Sequence, residues 1–296
     1  SLLLLIVVVF CDEECESGKQ KQKLSFQVKG KEVSYKAEDK NGKCQLKLEA
    51  KFGCDGQCTA EGKIRDKQEN SDLKAGIKYT IRAIQEVEAS SNDDVWKVDK
   101  VVKDVKISDW KLDDLDCKCD DDAVEKGKSN EIGCEGAVVC KQSGEKDGAT
   151  LTVQWTFVAE PAKVENEYEL NPNSVKIDVT VENWTFEKDS NQFAIETALT
   201  TKAQLKDIDS DKNGKVHTKG VAVLDGGGIV WAEEYQTTKD GDMKAVYATP
   251  RSENGNDQKI VFVFEKVEGA TSLLWDPEVM FASASNIAVS MLFLLS

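Results

Sequence analysis

The feature that most constrains the fold is a two-residue alternation of apolar and polar side chains that recurs along most of the chain. It is clearest at residues 151–157, LTVQWTF, and at residues 175–181, VKIDVTV. Because successive residues of a β-strand point to opposite faces of the sheet, such runs predict antiparallel strands with one buried face. No long apolar stripe at helical spacing accompanies them, so the sequence predicts an all-β protein. Shorter runs of the same kind occupy residues 24–28, 44–52, 77–81, 193–195, 221–223 and 260–264.

Turn sequences separate these runs. Asn41-Gly42 and Asn213-Gly214 are dipeptides that suit tight hairpins, because Asn and Gly tolerate positive φ. Many short strands joined by such turns are typical of sandwiches and barrels. We therefore predict two antiparallel β-sandwich (Ig-like) domains, the first of them disulfide-rich.

Chain length and cysteine distribution determine the predicted domain organisation. A chain of 296 residues corresponds to about two domains of ordinary size. We predict a disulfide-rich β domain over residues 12–110, an acidic, cysteine-containing linker or loop over residues 111–149, and a cysteine-free β-sandwich over residues 150–281. The last of these would depend on core burial alone, and its aromatic residues fit that role.

The nine cysteines all lie in the first half of the chain, and none belongs to a C-x-x-C pair. His217 is the only histidine, so a zinc site would need an almost purely thiolate ligand set at unusual spacings. A disulfide framework is the simpler interpretation, and it implies an oxidising compartment. Its pairing stays open at this stage, and its predicted members are Cys15, Cys44, Cys54, Cys58, Cys117, Cys119, Cys134 and Cys140.

The two ends of the chain are apolar. Residues 1–11 are predicted to be a signal peptide, cleaved after Cys11, or an apolar end strand. Residues 282–296 are predicted to be a GPI-attachment signal or a second end strand. Processing of the ends favours an anchored surface protein, whereas retention of both favours strand exchange between subunits, which can build filaments. The lipid-attachment candidates are Ser283, Ala284 and Ser285.

One internal similarity links the two halves of the chain. Residues 104–112, DVKISDWKL, resemble residues 178–186, DVTVENWTF. Each segment runs from an acid through alternating aliphatic residues to Asp or Asn, then Trp, and ends on a large apolar residue. A duplicated β-module explains the similarity, and so does chance likeness between amphipathic strands.

The sequence holds one N-x-[ST] sequon, Asn183-Trp184-Thr185. In a secreted protein Asn183 is a candidate glycan acceptor. The strand alternation would turn Asn183 toward the same face as the aliphatic side chains. Glycosylation therefore requires the strand to end or bulge near Trp184.

A short acidic segment resembles the first half of an EF-hand calcium loop. Asp209, Asp211 and Asn213 would supply oxygen ligands at alternate positions, and Gly214 would make the sharp turn. The twelfth position is Gly220 rather than a bidentate Glu, so a plain hairpin turn is the competing interpretation. Ca²⁺ is the one cofactor that the sequence suggests.

Charge and motifs narrow the function. A net charge of −15 repels phosphate groups, which argues against nucleic-acid binding and against membrane contact other than through a lipid anchor. No nucleophile elbow, phosphate-binding loop or metalloprotease helix appears, so we predict a protein that is not an enzyme.

We predict an extracellular or outer-surface protein that serves adhesion, recognition or surface coating. Its expected partners are other extracellular proteins, glycans or copies of itself. Two alternatives stay open: a structural subunit of an extracellular filament that polymerises by exchange of its apolar end strands, and a secreted carboxylate-dependent hydrolase.

Overall fold

Strands make up most of the described chain, as the apolar–polar alternation requires. The computed structural model describes residues 22–39, 46–66, 76–92, 95–119, 122–123, 129–131, 137–158, 162–164, 168–170, 174–201, 207–208, 220–224, 227–231, 234–236, 243–252, 257–264, 268–269 and 271–281. In chain order the strands are β1 (Gln22–Lys29), β2 (Glu32–Asp39), β3 (Leu46–Asp55), β4 (Gln57–Asp66), β5 (Gly76–Asn92), β6 (Val95–Lys106), β7 (Asp116–Cys119), β8 (Asp122–Ala123), β9 (Ser129–Glu131), β10 (Ala137–Lys146), β11 (Ala149–Val158), β12 (Ala162–Val164), β13 (Tyr168–Leu170), β14 (Ser174–Glu182), β15 (Gln192–Thr201), β16 (Asp207–Ile208), β17 (Gly220–Leu224), β18 (Gly227–Trp231), β19 (Glu234–Gln236), β20 (Met243–Ser252), β21 (Asp257–Phe264), β22 (Leu273–Trp275) and β23 (Glu278–Met280). A short 3-10 helix, Ile107–Trp110, follows β6.

The strands form two antiparallel sheets. The first has the order β9-β1-β2-β3-β4-β5-β15-β21-β20, and β6 pairs with the second half of β5 beside β4. The second has the order β8-β7-β10-β11-β14, and β22 and β23 pair with successive parts of β14. Strands β18, β17 and β16 continue outward from β23. Because β20 also pairs with β19, and β19 with β22, the two sheets form one continuous hydrogen-bonded system. The prediction of an all-β antiparallel protein is confirmed.

Aromatic side chains from both sheets meet in the core. The ring of Phe52 on β3 stacks on Trp155 of β11, with centroids 5.4 Å apart. Tyr35 on β2 stacks on Phe157 of β11 at the same distance, and Phe26 on β1 meets Phe157 edge-on at 5.6 Å. All five rings are buried. Aromatic pairs in such geometries contribute about 0.5–1.5 kcal/mol each beyond the burial of their area, so they hold the sheets face to face.

The two predicted domains do not have separate cores in the described residues. Strand β5, from the predicted first domain, pairs along its length with β15, from the predicted second, and Ile84 lies opposite Ile195. One hydrophobic cluster contains Phe52 from the first half and Trp155 from the second. The described strands within residues 12–110 and within residues 150–281 therefore belong to one shared pair of sheets, and the predicted domain bounds stay a prediction. The sheets are shared because of a long-range strand pairing, which leaves no signature in local alternation.

The segment predicted to be a linker or loop, residues 111–149, contributes strands to both sheets. Within it β10 pairs with β7 and β11 in the second sheet, and β9 pairs with β1 at the edge of the first. The buried face of β10 carries Val138, Cys140 and Gln142. Because Gln142 and Gly144 occupy inward positions of β10, the sequence of this strand does not show a clear alternation of apolar and polar residues.

The two similar Trp segments end side by side. Trp110 follows β6 of the first sheet and Trp184 follows β14 of the second. Both side chains are buried, and their ring centroids lie 6.2 Å apart. The internal similarity thus corresponds to two equivalent positions at one end of the core.

Phe281, at the end of the described chain, is fully buried against Gly62 of β4. A Cβ atom at Gly62 would lie 2.1 Å from Phe281 Cδ1, so no side chain larger than hydrogen fits beneath the ring. This contact joins the strand that precedes Phe281, β23, to the first sheet.

The side chain of Gln142 connects the sheets by hydrogen bonds. Strand β2 ends its pairing with β3 at Gly53, so the next residue, Cys54, has no β2 partner. Gln142 Oε1 accepts from Cys54 N at 2.9 Å, and Gln142 Nε2 donates to Cys54 O at 3.2 Å and to Asp113 O at 3.0 Å. A buried amide from the second sheet therefore completes the hydrogen bonding of the first.

We expect Gln142→Leu to lower the free energy of unfolding by about 2–4 kcal/mol, because the buried N–H and C=O of Cys54 lose their partner and the carbonyl of Asp113 loses a donor. Urea unfolding followed by tryptophan fluorescence measures the change. Gln57→Leu, at an exposed position of the neighbouring strand β4, is the matched control and should change the same quantity by less than about 0.5 kcal/mol. Equal effects of the two substitutions would contradict the bridging role.

The hydroxyl of Tyr35 is buried among the aromatic rings of the core. Within the described residues Tyr35 Oη has no hydrogen-bond partner. Burial raises the pKa of Tyr35 far above its ordinary value, so the hydroxyl stays protonated. An unsatisfied buried hydroxyl costs about 1–3 kcal/mol, so the ring at this position contributes through packing and not through its oxygen.

We expect Tyr35→Phe to leave the free energy of unfolding unchanged or to raise it by about 1 kcal/mol, since it removes an unsatisfied polar atom and keeps the ring. Phe52→Leu, which replaces a ring in contact with Tyr35 by a smaller side chain, should instead lower the free energy of unfolding by about 1 kcal/mol or more. Thermal unfolding of both variants tests the pair. A clear loss of stability in Tyr35→Phe would mean that the hydroxyl has a partner after all, such as an ordered water.

Candidate functional site

The sequon lies in a turn at the end of β14. The strand ends at Glu182, and Asn183 takes a left-handed backbone conformation with φ of 57°. The side chain of Asn183 is exposed, and that of Trp184 is buried. Asn is one of the few residues that adopt this conformation readily, because its short polar side chain tolerates positive φ. The strand therefore ends where the sequence analysis required it to end for Asn183 to face solvent.

Trp184 fixes the position of the turn. Its backbone N–H donates to Thr271 O at 3.0 Å, just before β22. Its ring packs near Trp110 and Phe193, with the Phe193 centroid 5.6 Å away. Lys103 Nζ lies over the Trp184 ring, 4.6 Å from its centroid. A cation–π contact of this kind contributes about 0.5–2 kcal/mol, depending on solvation.

A buried carboxylate holds the rest of the turn. Glu86 on β5 is fully buried, and its Oε1 accepts from Glu187 N at 2.8 Å, from Lys188 N at 3.4 Å and from Asn191 Nδ2 at 2.5 Å. At the surface, Lys188 Nζ lies 2.7 Å from Glu88 Oε1, and this hydrogen bond lowers the pKa of Glu88 below its usual value. Backbone and side chain of the turn are thus both attached to β5.

Two acceptor atoms at this point are left without a donor in the described residues. Neither Glu86 Oε2 nor Asn191 Oδ1 has a hydrogen-bond partner, and both side chains are completely buried. Buried acceptors without a donor carry a free-energy cost of about 1–3 kcal/mol each. Sequence analysis missed Glu86, since a charged residue inside a strand normally indicates a solvent-facing position.

Disulfides occur at buried, directly paired strand positions. Cys54 on β3 and Cys58 on β4 are opposite each other and are bonded, and so are Cys117 on β7 and Cys140 on β10. Cys119 is also disulfide-bonded. The remaining predicted members, Cys15, Cys44 and Cys134, lie outside the described residues.

Two other groups of predicted site residues also fall outside the described ranges: the calcium candidates Asp209, Asp211 and Asn213, and the lipid-attachment candidates Ser283, Ala284 and Ser285. Both predictions stay predictions. In the ranges that the structure does describe, no three His, Cys, Asp or Glu side chains come together as a metal site would need. Those same ranges contain no helix with the length and apolar character to cross a membrane.

No protein-family model matches the chain, and no curated protein matches it significantly. The described sites offer two kinds of chemistry. One is an exposed amide acceptor, Asn183, on a rigid turn. The other is a set of covalent cross-links inside the core.

We expect Glu86→Leu to lower the free energy of unfolding by about 2–4 kcal/mol, because the N–H groups of Glu187 and Lys188 lose their buried acceptor. Glu86→Gln keeps an acceptor oxygen for the same three donors, so we expect it to stay within about 1 kcal/mol of wild type.

Chemical unfolding of both variants tests this, with the exposed substitution Glu187→Gln as a control expected to change stability by less than about 0.5 kcal/mol. If Glu86→Gln were as damaging as Glu86→Leu, the negative charge itself would be required at this position, and our account of the unpaired acceptors would be wrong.

Proposed function

We propose that this is a secreted or cell-surface protein that acts in adhesion, recognition or surface coating and is not an enzyme. The observation that carries the proposal is the placement of the disulfides: Cys54–Cys58 and Cys117–Cys140 link paired core strands, and all four residues are at most 3% exposed. Structural disulfides of this kind form and persist in oxidising compartments, chiefly outside the cell.

The second disulfide supports a scaffold that must survive without cellular protection. Cys117 and Cys140 are 23 residues apart, and they attach the short strand β7 to β10 near the edge of the second sheet. Closing a loop of that length stabilises the folded state by about 3 kcal/mol in the chain-entropy account. The bond therefore protects an edge that hydrogen bonds alone would leave prone to fraying.

The surface of the described residues is polar. Val101, at 41% exposure, is the one large hydrophobic residue that stands out as exposed in the part of the chain whose side chains are described. Exposed ion pairs include Lys51–Glu32, between neighbouring strands, and Lys146–Asp147, at the turn between β10 and β11. A surface without an apolar patch favours partners recognised through polar contacts, such as glycans and hydrated protein surfaces. The proposed partners also include copies of the chain itself, with or without bound Ca²⁺.

The experiment that tests the proposal expresses residues 1–296 in a eukaryotic host that has a secretory route. We expect to find the protein in the medium, or on the cell surface, from which phosphatidylinositol-specific phospholipase releases it. Its core cysteines should not react with thiol labels. The matched control lacks residues 1–11 and should stay inside the cell.

Purified protein on beads then tests binding to cells, to a glycan array and to itself. Retention of the full chain in the cytosol with labelled thiols would overturn the proposed location. A secreted protein that neither coats the producing cells nor binds any of the three targets would overturn the proposed role.

A further inference from the structure

We propose that Asn183 carries an N-linked oligosaccharide. The inference rests on the secretion proposed above and adds a defined modification site to it. The ligand class is the lipid-linked oligosaccharide of the eukaryotic secretory route, and the acceptor is the side-chain amide of the one sequon in the chain, Asn183-Trp184-Thr185.

The geometry separates this sequon from a chance match in a strand. Along β14 the aliphatic side chains Val175, Ile177, Val179 and Val181 are fully buried. Continued alternation would have buried the next odd-numbered residue, Asn183, as well. The left-handed backbone at Asn183 breaks the alternation, so that the side chains of Asn183 and Thr185 are exposed while that of Trp184 is buried. The acceptor and the hydroxyl of the sequon therefore both face solvent.

The turn can bear a large substituent without cost to the core. Its anchors are Trp184, through the Thr271 hydrogen bond and the aromatic cluster, and the Glu86 carboxylate, which holds the residues that follow. None of these contacts uses the Asn183 side chain, which makes no hydrogen bond to the described residues. A glycan at Asn183 would extend from the end of the sheets without displacing any of these anchors.

The proposed reaction is an ordinary transfer of the oligosaccharide to the asparagine amide. The Nδ2 atom of Asn183 forms a bond to C1 of the first sugar, and the C1–oxygen bond to the lipid pyrophosphate breaks. The amide releases one proton, and the lipid pyrophosphate leaves. No oxidant or reductant takes part.

A glycan at this position also determines which surfaces are free for partners. It would cover the end of the sheets where Trp110 and Trp184 lie, and so would keep copies of the protein from associating through that end. Recognition would then involve the strand faces or the opposite end.

The test produces the protein behind a heterologous cleavable signal peptide in a eukaryotic secretory host, so that entry into the route does not depend on residues 1–11. Four forms are compared: wild type, Asn183→Asp, Thr185→Ala and Thr185→Ser. Asp is chosen because it also tolerates positive φ while removing the acceptor amide. Each secreted form is digested with peptide-N-glycosidase in ¹⁸O water and analysed by peptide mass spectrometry.

We expect wild type and Thr185→Ser to lose one glycan and to gain ¹⁸O-labelled Asp at position 183. The Asn183→Asp and Thr185→Ala forms should run at the digested size before any treatment. Secreted, folded wild type with unmodified Asn183 would overturn the glycan and leave the proposed function standing. Failure of residues 1–296 to leave the cell without the added signal peptide, with glycan present on the signal-fused form, would overturn the proposed function and leave the site intact.

Discussion

Phe52 of the first sheet and Trp155 of the second stack with ring centroids 5.4 Å apart, and contacts of this kind hold the two sheets face to face. Other contacts in the molecule depend on the distance that these rings set between the two sheets. This spacing brings Gln142 within hydrogen-bonding distance of Cys54, and it places Trp110 beside Trp184. Because close-packed interiors tolerate little change in volume, a change in these rings would alter both features together.

Local pattern was sufficient to predict the strands but not their partners. The alternation at β11 and β14 identified both strands, since their inner faces are uniformly apolar. Strand β10 was missed because Gln142 and Gly144 occupy inward positions. The shared sheet was missed because β5 and β15 meet across more than a hundred residues, and no short segment of sequence encodes that pairing. Composition, acidic and cysteine-rich, suggested a linker where the chain contributes to both sheets.

The features of the candidate site were likewise predictable only in part from the sequence. The Asn183 sequon is visible in the sequence, yet its exposure depends on where β14 ends, and the burial of Trp184 sets that end. The buried carboxylate of Glu86 gave no such signal, because a glutamate in a strand resembles a surface residue until its three donors are known. Cysteine bonding was predictable as chemistry, whereas the choice of partners required the register of β3 with β4 and of β7 with β10.

Phe281 gives the molecule a defined mechanical attachment point. Its ring is seated on Gly62, and the strand just before it, β23, pairs with β14 on one side and β18 on the other. Tension applied to the chain beyond Phe281 would therefore act first on a strand held along both edges and on a ring enclosed by the first sheet. Because β23 is paired along both edges, it cannot leave the sheet without breaking hydrogen bonds to both β14 and β18. A protein held at a surface beyond Phe281 would therefore transmit force directly into its core.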